Sequence, residues 1–387
     1  MSTIKKSDQF IAPTYSYLPL VMDRGKGSLL YDEEGKEYID LGSGIAVNVF
    51  GACDEKWHKA VCDQAGKLQH CSNYYYSAPQ TELAELLCQK TGLKKVFFSN
   101  SGTEANECAI KAARKYSSDK YGPGRHTIIT LESSFHGRTM AALSATGQEA
   151  LHVHFAPFLP GFVHVPANDI AAMEQALNAG GVCAVMMEMI QGEGGVCPLD
   201  AEYVKSVAKL CKAQDVLLVV DEVQCGNGRT GKYFAYMHHG IEPDIVSTAK
   251  ALAGGLPMGA TLFGEKTKDV LSAGAHGSTY GGNLVCASAA VSIVSRIDDE
   301  LLSQVAEKGE YIKSKLSNAA GVESITGMGL MIGIKTKKDV KDVMAGCREK
   351  GVIILSAKDK VRLLPALNIP IELLEKSIDI LMEVVAQ

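Results

Sequence analysis

From about residue 81 onward the chain alternates apolar runs with amphipathic stretches, and this alternation limits its possible folds more than any other feature. TELAELLCQKTG (81–92) is amphipathic and closes on Gly92, KKVFFSN (94–100) reads as a short strand, and TEANECAIKAARKYSSD (103–119) sets Ile110 and several alanines along one side of a helix. HTIITLES (126–133) reads as a strand, VCAVMMEMI (182–190) as a buried strand and DAEYVKSVAKLCKAQ (200–214) as a helix; the strands DVLLVVDE (215–222) and PDIVSTAK (243–250) follow. Strands without polar alternation are buried on both faces, with helices as their crossovers, so the pattern predicts an α/β fold around a mainly parallel sheet.

The two ends of the chain read differently. SLLYDEEGKEYIDL (28–41) has the form of a hairpin with a charged tip. Beyond about 285 come a long helix with a break (288–316), the strand GLMIGIKT (329–336), a further helix, the strand VIILSA (352–357) and a terminal helix. At roughly 150 residues per domain, 387 residues suggest about two or three. We expect a large domain over 46–284 and a smaller α+β domain assembled from 1–45 and 285–387.

Composition removes several classes of function. The net charge of −5 offers no general attraction to nucleic acid or to an anionic membrane. No apolar stretch approaches the ~18 residues of a spanning helix, and MSTIKKSDQF lacks the apolar core of a signal peptide. The eleven cysteines are scattered, odd in number and without a C-x-x-C pair, which suits reduced thiols in the cytoplasm better than disulfides or zinc. His152 and His154 have no acidic or thiol partner at ligand spacing, so no metal site is expected.

Four stretches carry chemistry, each at the carboxyl end of an expected strand, where open α/β sheets place their ligands. In SNSGTEAN (99–106), Ser101, Gly102 and Thr103 lead into a helix and could cradle a phosphate; the plainer alternative is an N-cap at Ser101 with Glu104 completing a capping box. In SSFHGRT (133–139), Phe135 could cover a flat ring and Arg138 could grip a carboxylate, or the two could be a core aromatic and a surface cation. Asp221 ends the apolar run VLLVV, where a carboxylate is costly without a cationic or hydrogen-bonded partner; a helix cap or a structural ion pair is the alternative. Lys250 stands between a strand and the glycine-rich ALAGGLPMGA, where a sequestered amine gives up its proton readily and condenses with carbonyl groups; the alternative is a surface lysine.

Gly226, Gly228 and Gly231 also spell the G-x-G-x-x-G of a dinucleotide site. In such a site the strand runs directly into the first glycine, whereas here D-E-V-Q-C intervenes and no amphipathic helix opens at Gly231, so the run reads as a turn. Pyridoxal phosphate accounts for all four stretches together. It needs a phosphate cradle, a flat apolar surface, a lysine for its aldehyde and an acidic partner that keeps its ring nitrogen protonated.

SNSGTEANECAIKAARKY, SFHGRTMAALSATGQ, EMIQGEGGV, DEVQCGNGRTG, PDIVSTAKALAGGLPMGA and HGSTYGGN, in this order, resemble the class III pyridoxal-phosphate aminotransferases of fold type I. The resemblance implies a large domain with a mainly parallel seven-stranded sheet and a smaller α+β domain from both termini. It implies that Lys250 holds the cofactor and shuttles protons, that Asp221 pairs with the ring nitrogen and Gln224 with the ring oxygen, and that Phe135 and Val223 cover the ring faces. Ser101, Gly102 and Thr103 would hold the phosphate, and Thr279 would reach it from the second subunit of a homodimer. Arg138 and Arg362 would bind substrate carboxylates, Glu193 would pair with Arg362 when it is idle, and Tyr15 would touch substrate. LGSGIAVNVFG (41–51) and HCSNYYYSAPQTELAELL (70–87) imply N2-acetylornithine as amino donor and 2-oxoglutarate as acceptor, with succinylornithine, ornithine and 4-aminobutyrate as alternative donors. Two departures stand out. Gly51-Ala52 replaces the usual glycine-histidine in a loop without its usual proline, and Ala251 and Ala253 stand where glycines are common.

Overall fold

A computed structural model describes residues 2–387. Its central sheet has seven strands: β1 (Lys95–Ser99), β2 (Thr127–Leu131), β3 (Phe162–Val165), β4 (Val182–Glu188), β5 (Leu217–Asp221), β6 (Ile245–Thr248) and β7 (Gly259–Phe263). They lie in the order β1-β7-β6-β5-β4-β2-β3, all parallel except β7, which runs against both its neighbours. Every residue of β4 through β7 is buried, as the apolar runs of β4 and β5 require. The mainly parallel, doubly covered sheet is the one the alternation predicts. β3 and β7 carry no strong sequence signal of their own, and their pairing comes from the sheet they complete.

The register sets three strand ends level. Asp221 lies opposite Glu188 on β4 and Ser247 on β6, while Gly259, at the start of the reversed strand, faces Ser99. Helix α1 (Gly102–Tyr121) leaves β1 at this same edge, capped by Ser101, whose Oγ accepts from the Glu104 amide at 3.2 Å. Glu104 reaches back to the amide of Asn100 rather than to that of Ser101, so the capping box closes one residue earlier than the usual pattern.

The chain termini meet beside this sheet. The hairpin Leu29–Asp32/Glu37–Asp40 is tied at its tip by Asp32, which accepts from the amides of Glu34 and Lys36. Its second strand pairs in parallel with Val352–Ile353. The apolar run VIILSA therefore does not act as one strand. It is interrupted at Ile354, and Leu355–Ala357 joins a different, antiparallel sheet with Lys360–Leu363, Met331–Thr336 and Val322–Met328. The long helix breaks at Ser295–Asp298 into Leu284–Val294 and Asp299–Leu316, the second capped by Asp298. One continuous apolar cluster runs from Ile39 through Val220 to Val385, so the central sheet and the elements built from the chain ends share a core.

Close backbone approaches lock the C-terminal elements to the turn that follows β5. The Gly329 turn, at φ +52°, rests on Arg229 and Thr230, and a Cβ at Gly309 would lie 2.3 Å from the Gly329 carbonyl oxygen. Gly309→Ala is therefore expected to lower the unfolding free energy by about 1–3 kcal/mol through overpacking. Denaturant unfolding checks this, and a wild-type value would mean the helix and the turn do not meet this closely.

Candidate active site

The level strand ends open on a cavity of about 440 Å³. Asp221, almost fully buried, stands at its base. Its Oδ2 accepts from Asn106 Nδ2 at 2.7 Å and pairs with His136 Nδ1 at 2.8 Å, and its Oδ1 accepts from the Val223 amide at 2.9 Å. Burial alone would depress the pKa of His136, but the hydrogen bond and charge of Asp221, with the charge of Glu188, raise it. Glu188 is pushed up to about 7 by burial, with Asp221 adding to the rise against the opposing pull of His136. Its oxygens accept from the amides of Phe135 and Gly192.

Above this cluster the first turn of α1 presents the amides of Gly102 and Thr103, which a helix leaves without internal partners. Gly102 has no room for a side chain: a Cβ would lie 2.6 Å from Val223 Cγ1. Gly137 is equally constrained, with φ +137° and a hypothetical Cβ 2.0 Å from Thr103 Oγ1. Phe135 and Val223 both line the cavity. The exposed Arg138 sits at its edge, its guanidinium carbon 5.7 Å from the Phe135 ring centre.

Lys250 lines the same cavity, directly after β6 and at φ +46°. Among the described residues its Nζ makes no hydrogen bond or ion pair. Burial lowers its pKa; the charges of Glu193, Asp221 and Glu188 oppose this, and Arg362 adds to the lowering. Beside it, Arg362 is buried, with Nη1 2.6 Å from Glu193 Oε1 and 3.0 Å from Gln224 Oε1. Gln224 Nε2 donates to the same Glu193 at 3.1 Å. Burial works against the Glu193 charge, but Arg362 prevails and holds its pKa below the usual carboxylate value. Arg362 is delivered by the antiparallel sheet outside the central one: it lies opposite Gly333, whose hypothetical Cβ would lie 2.8 Å from Val196, just beyond the Glu193 turn.

Thus Ser101, Gly102, Thr103, Phe135, Arg138, Asp221, Val223, Gln224 and Lys250 line one cavity, with Glu193 and Arg362 reaching it through Gln224. Thr279 and Tyr15 do not join them. Both are exposed, and Thr279 borders separate surface hollows. The Gly226–Gly231 run forms a turn, and its Asn227 holds the start of the Lys250 segment by donating to Thr248 Oγ1 at 2.9 Å and to the Ala249 carbonyl at 3.3 Å. Sequence reasoning passed over Asn106, His136 and Glu188, which surround Asp221. Asn106 and His136 lie inside two of the four stretches, and Glu188 ends the buried strand VCAVMME; the available signal was a polar residue where a core helix or strand end would otherwise exclude it.

The Glu188–His136–Asp221 cluster makes stability depend on pH. Glu188 and His136 have folded-state pKa values raised above their ordinary 4.5 and 6.5, so their contribution is present below those values and is lost as pH rises through the folded ones, about 7 for Glu188. Without added cofactor, the protein is expected to lose stability relative to Glu188→Gln between about pH 5 and pH 8. Parallel denaturant titrations check this, and a pH-independent difference would contradict it.

The residues fit pyridoxal phosphate on structural grounds. A cavity walled by Phe135 and Val223 holds an acceptor-only carboxylate at its base, free helix-start amides at one end and an amine without a partner beside it. Gly102 and Gly137 keep side chains out of the cradle. The family model described as aminotransferase class III matches residues 10–385. The acetylornithine aminotransferase of Haemophilus ducreyi is 47% identical over 99% of this chain and 98% of its own length, and that of Aquifex aeolicus is 43% identical over 97% and 99%. Among solved structures, the ornithine aminotransferase of Toxoplasma gondii superposes with a TM-score of 0.94 at 30% identity, covering 99% of this chain and 94% of that one. The N-acetylornithine aminotransferase of Stenotrophomonas maltophilia does so with a TM-score of 0.86 at 35% identity, covering 99% and 98%. Fold, cavity and kinship agree: the chain belongs to the class III aminotransferases, enzymes that work with pyridoxal phosphate.

Proposed function

We propose that this aminotransferase moves the terminal amino group of N2-acetylornithine to 2-oxoglutarate, giving N-acetylglutamate semialdehyde and glutamate, a step of arginine biosynthesis. The observation that carries this reading is the Arg362–Glu193–Gln224 cluster beside Lys250, a buried cation already neutralised by a movable carboxylate. With Glu193 engaged, Arg362 is silent toward a donor with one carboxylate, which Arg138 at the cavity edge holds. With Glu193 displaced, Arg362 takes the second carboxylate of the acceptor by its two-pronged fork. The N-acetylornithine preference is further supported by the acetylornithine aminotransferases named above and by Gly44-Ile45, which offers no aromatic group to a free ornithine amine.

Bound pyridoxal phosphate supplies an electron-withdrawing ring that accepts the electron pair released when the nitrogen-bearing carbon loses its proton. Lys250 Nζ would take that proton from the substrate carbon and return it on the far side of the amino nitrogen. Its burial favours the neutral amine, the form that can accept a proton. Asp221, fixed by Asn106, His136 and the Val223 amide, keeps a proton on the ring nitrogen. Gln224 would bind the ring oxygen, Phe135 and Val223 would enclose the ring, and Ser101, Gly102 and Thr103 would bind the phosphate.

We further infer a homodimer in which Thr279 serves the partner's phosphate site and Tyr15 meets substrate. The exposure of Tyr74, Tyr75, Tyr76 and Tyr280, the first of them lining a hollow of about 1240 Å³, supports a covering subunit there. A division into domains 46–284 and 1–45 with 285–387 is supported by the pairing of Val352–Ile353 with Glu37–Asp40. A cytoplasmic site is supported by eleven unpaired thiols. No helix among the described residues is long and apolar enough to cross a membrane.

Single-turnover mixing with each donor tests the assignment. N2-acetylornithine is expected to bleach the visible band fastest, ahead of succinylornithine, ornithine and 4-aminobutyrate; a faster reaction with ornithine would overturn it. Lys250→Ala should still bind cofactor, non-covalently, and show no turnover, so ordinary activity would refute its role. Arg362→Met should raise KM for 2-oxoglutarate by about tenfold or more while the first half-reaction persists, as expected when a charged pairing worth ~1.5–3 kcal/mol is lost. An unchanged KM would remove Arg362 from substrate recognition.

A further inference from the structure

The turn that carries Lys250 is strained. Lys250 itself has φ +46°, and Gly254 and Gly255 follow at φ +59° and +126°. A lysine in the left-handed region costs free energy and persists only where its surroundings over-determine it. One side of the turn is held by Asn227. On the other side stands Trp57, the only tryptophan in the chain, whose Nε1–H donates to the Ala253 carbonyl at 2.9 Å. Its ring also backs the two glycines: a Cβ at Gly254 would lie 3.2 Å from Trp57 Cδ1, and one at Gly255, which lines the cavity, 3.8 Å from Cζ2.

Trp57 is itself held firmly. It belongs to helix Glu55–Lys67, capped by Asp54, whose Oδ1 accepts from the Trp57 amide at 2.9 Å. Arg296 grips both oxygens of Asp54, at 2.7 and 3.1 Å, and its guanidinium lies 4.1 Å from the Phe50 ring centre. The preceding loop is the one that departs from the family pattern. Gly51, at φ +82°, packs so closely on Gly27 that a Cβ would sit 2.5 Å from its carbonyl carbon, and Ala52 and Gly27 exchange backbone hydrogen bonds. This loop thus forms a close-packed base for the helix that carries the tryptophan.

We propose that Trp57 is a positioning residue for Lys250: its indole N–H on the Ala253 carbonyl fixes the strained turn that presents the lysine amine to the cofactor cavity. This rests on the reading that Lys250 bears the cofactor. Substitution leaves untouched the charged groups around the amine: Glu188, Glu193, Asp221 and Arg362. What changes is the freedom of the turn to relax and admit water to Nζ.

The test is the rate at which cofactor-free protein takes up pyridoxal phosphate, followed by the visible band across pH, with wild type and Trp57→Phe compared alongside their melting temperatures. Phenylalanine keeps the ring and removes the donor. The variant is expected to load fully, with the half-maximal pH of its loading rate displaced upward by about half a unit or more, the size expected of one neutral hydrogen bond. A lower melting temperature with an unmoved midpoint would overturn the proposal and leave Trp57 a packing residue. Arg296→Gln, which loosens the same clamp without touching the indole, should move the midpoint the same way by less, and decides the matter if Trp57→Phe does not fold. Wild-type protein that fails to load would instead refute the role of Lys250.

Discussion

A carboxylate with almost no access to water is expensive unless its environment replaces the lost solvation, and Asp221 is solvated entirely by its own fold. Three donors do this: an amide side chain from the first helix, an imidazole from the loop after β2, and the backbone two residues ahead. Each comes from a different element, so the charge can exist only when the strand ends are level and α1 is docked. The consequence is a preorganised negative charge at the base of an apolar cavity, of the kind that stabilises a cation on a flat ring at no reorganisation cost during reaction. Phe135, Val223 and the helix-start amides take their places from the same register.

The second layer of organisation comes from the chain ends. The strand that carries Arg362 belongs to a sheet outside the central one, and it is brought to Glu193 and Gln224 by glycine contacts too close for any side chain. A buried arginine with one carboxylate and one amide partner is held tightly, and under the proposed exchange a substrate carboxylate would offer it the same two oxygens as Glu193. Lys250 is placed by the opposite means, a backbone segment forced into an uncommon conformation and clamped from two sides. Charge is fixed by hydrogen bonds and the reactive amine by strain, and both are features of a site that must be formed before its ligand arrives.

Much of this was legible in the residues. Apolar runs located β4 and β5 and the helix–strand alternation located β6, and the chemistry-bearing stretches at the strand ends named most of the cavity wall, because a parallel sheet puts its carboxyl ends on one edge. Asp221 and Lys250 could be picked out because charged residues at the ends of buried strands violate the apolar pattern. The shell around Asp221 was harder to see. Asn106, His136 and Glu188 are separated from it by 33 to 115 positions along the chain, and no local rule pairs them. β7 escaped because GATLF is short and follows a glycine-rich loop, and VIILSA looked like one strand because nothing local shows that a run of six will serve two sheets. The glycines of GNGRTG misdirect toward a dinucleotide only until the strand is seen to stop at Asp221, five residues too early.

The most direct measurement is to load the purified protein with pyridoxal phosphate, fix the linkage with borohydride, digest it and locate the labelled peptide. The arrangement described here predicts a single labelled side chain, at position 250 within PDIVSTAKALAGGLPMGA. A label elsewhere, or no stable label from protein that is otherwise folded, would contradict it.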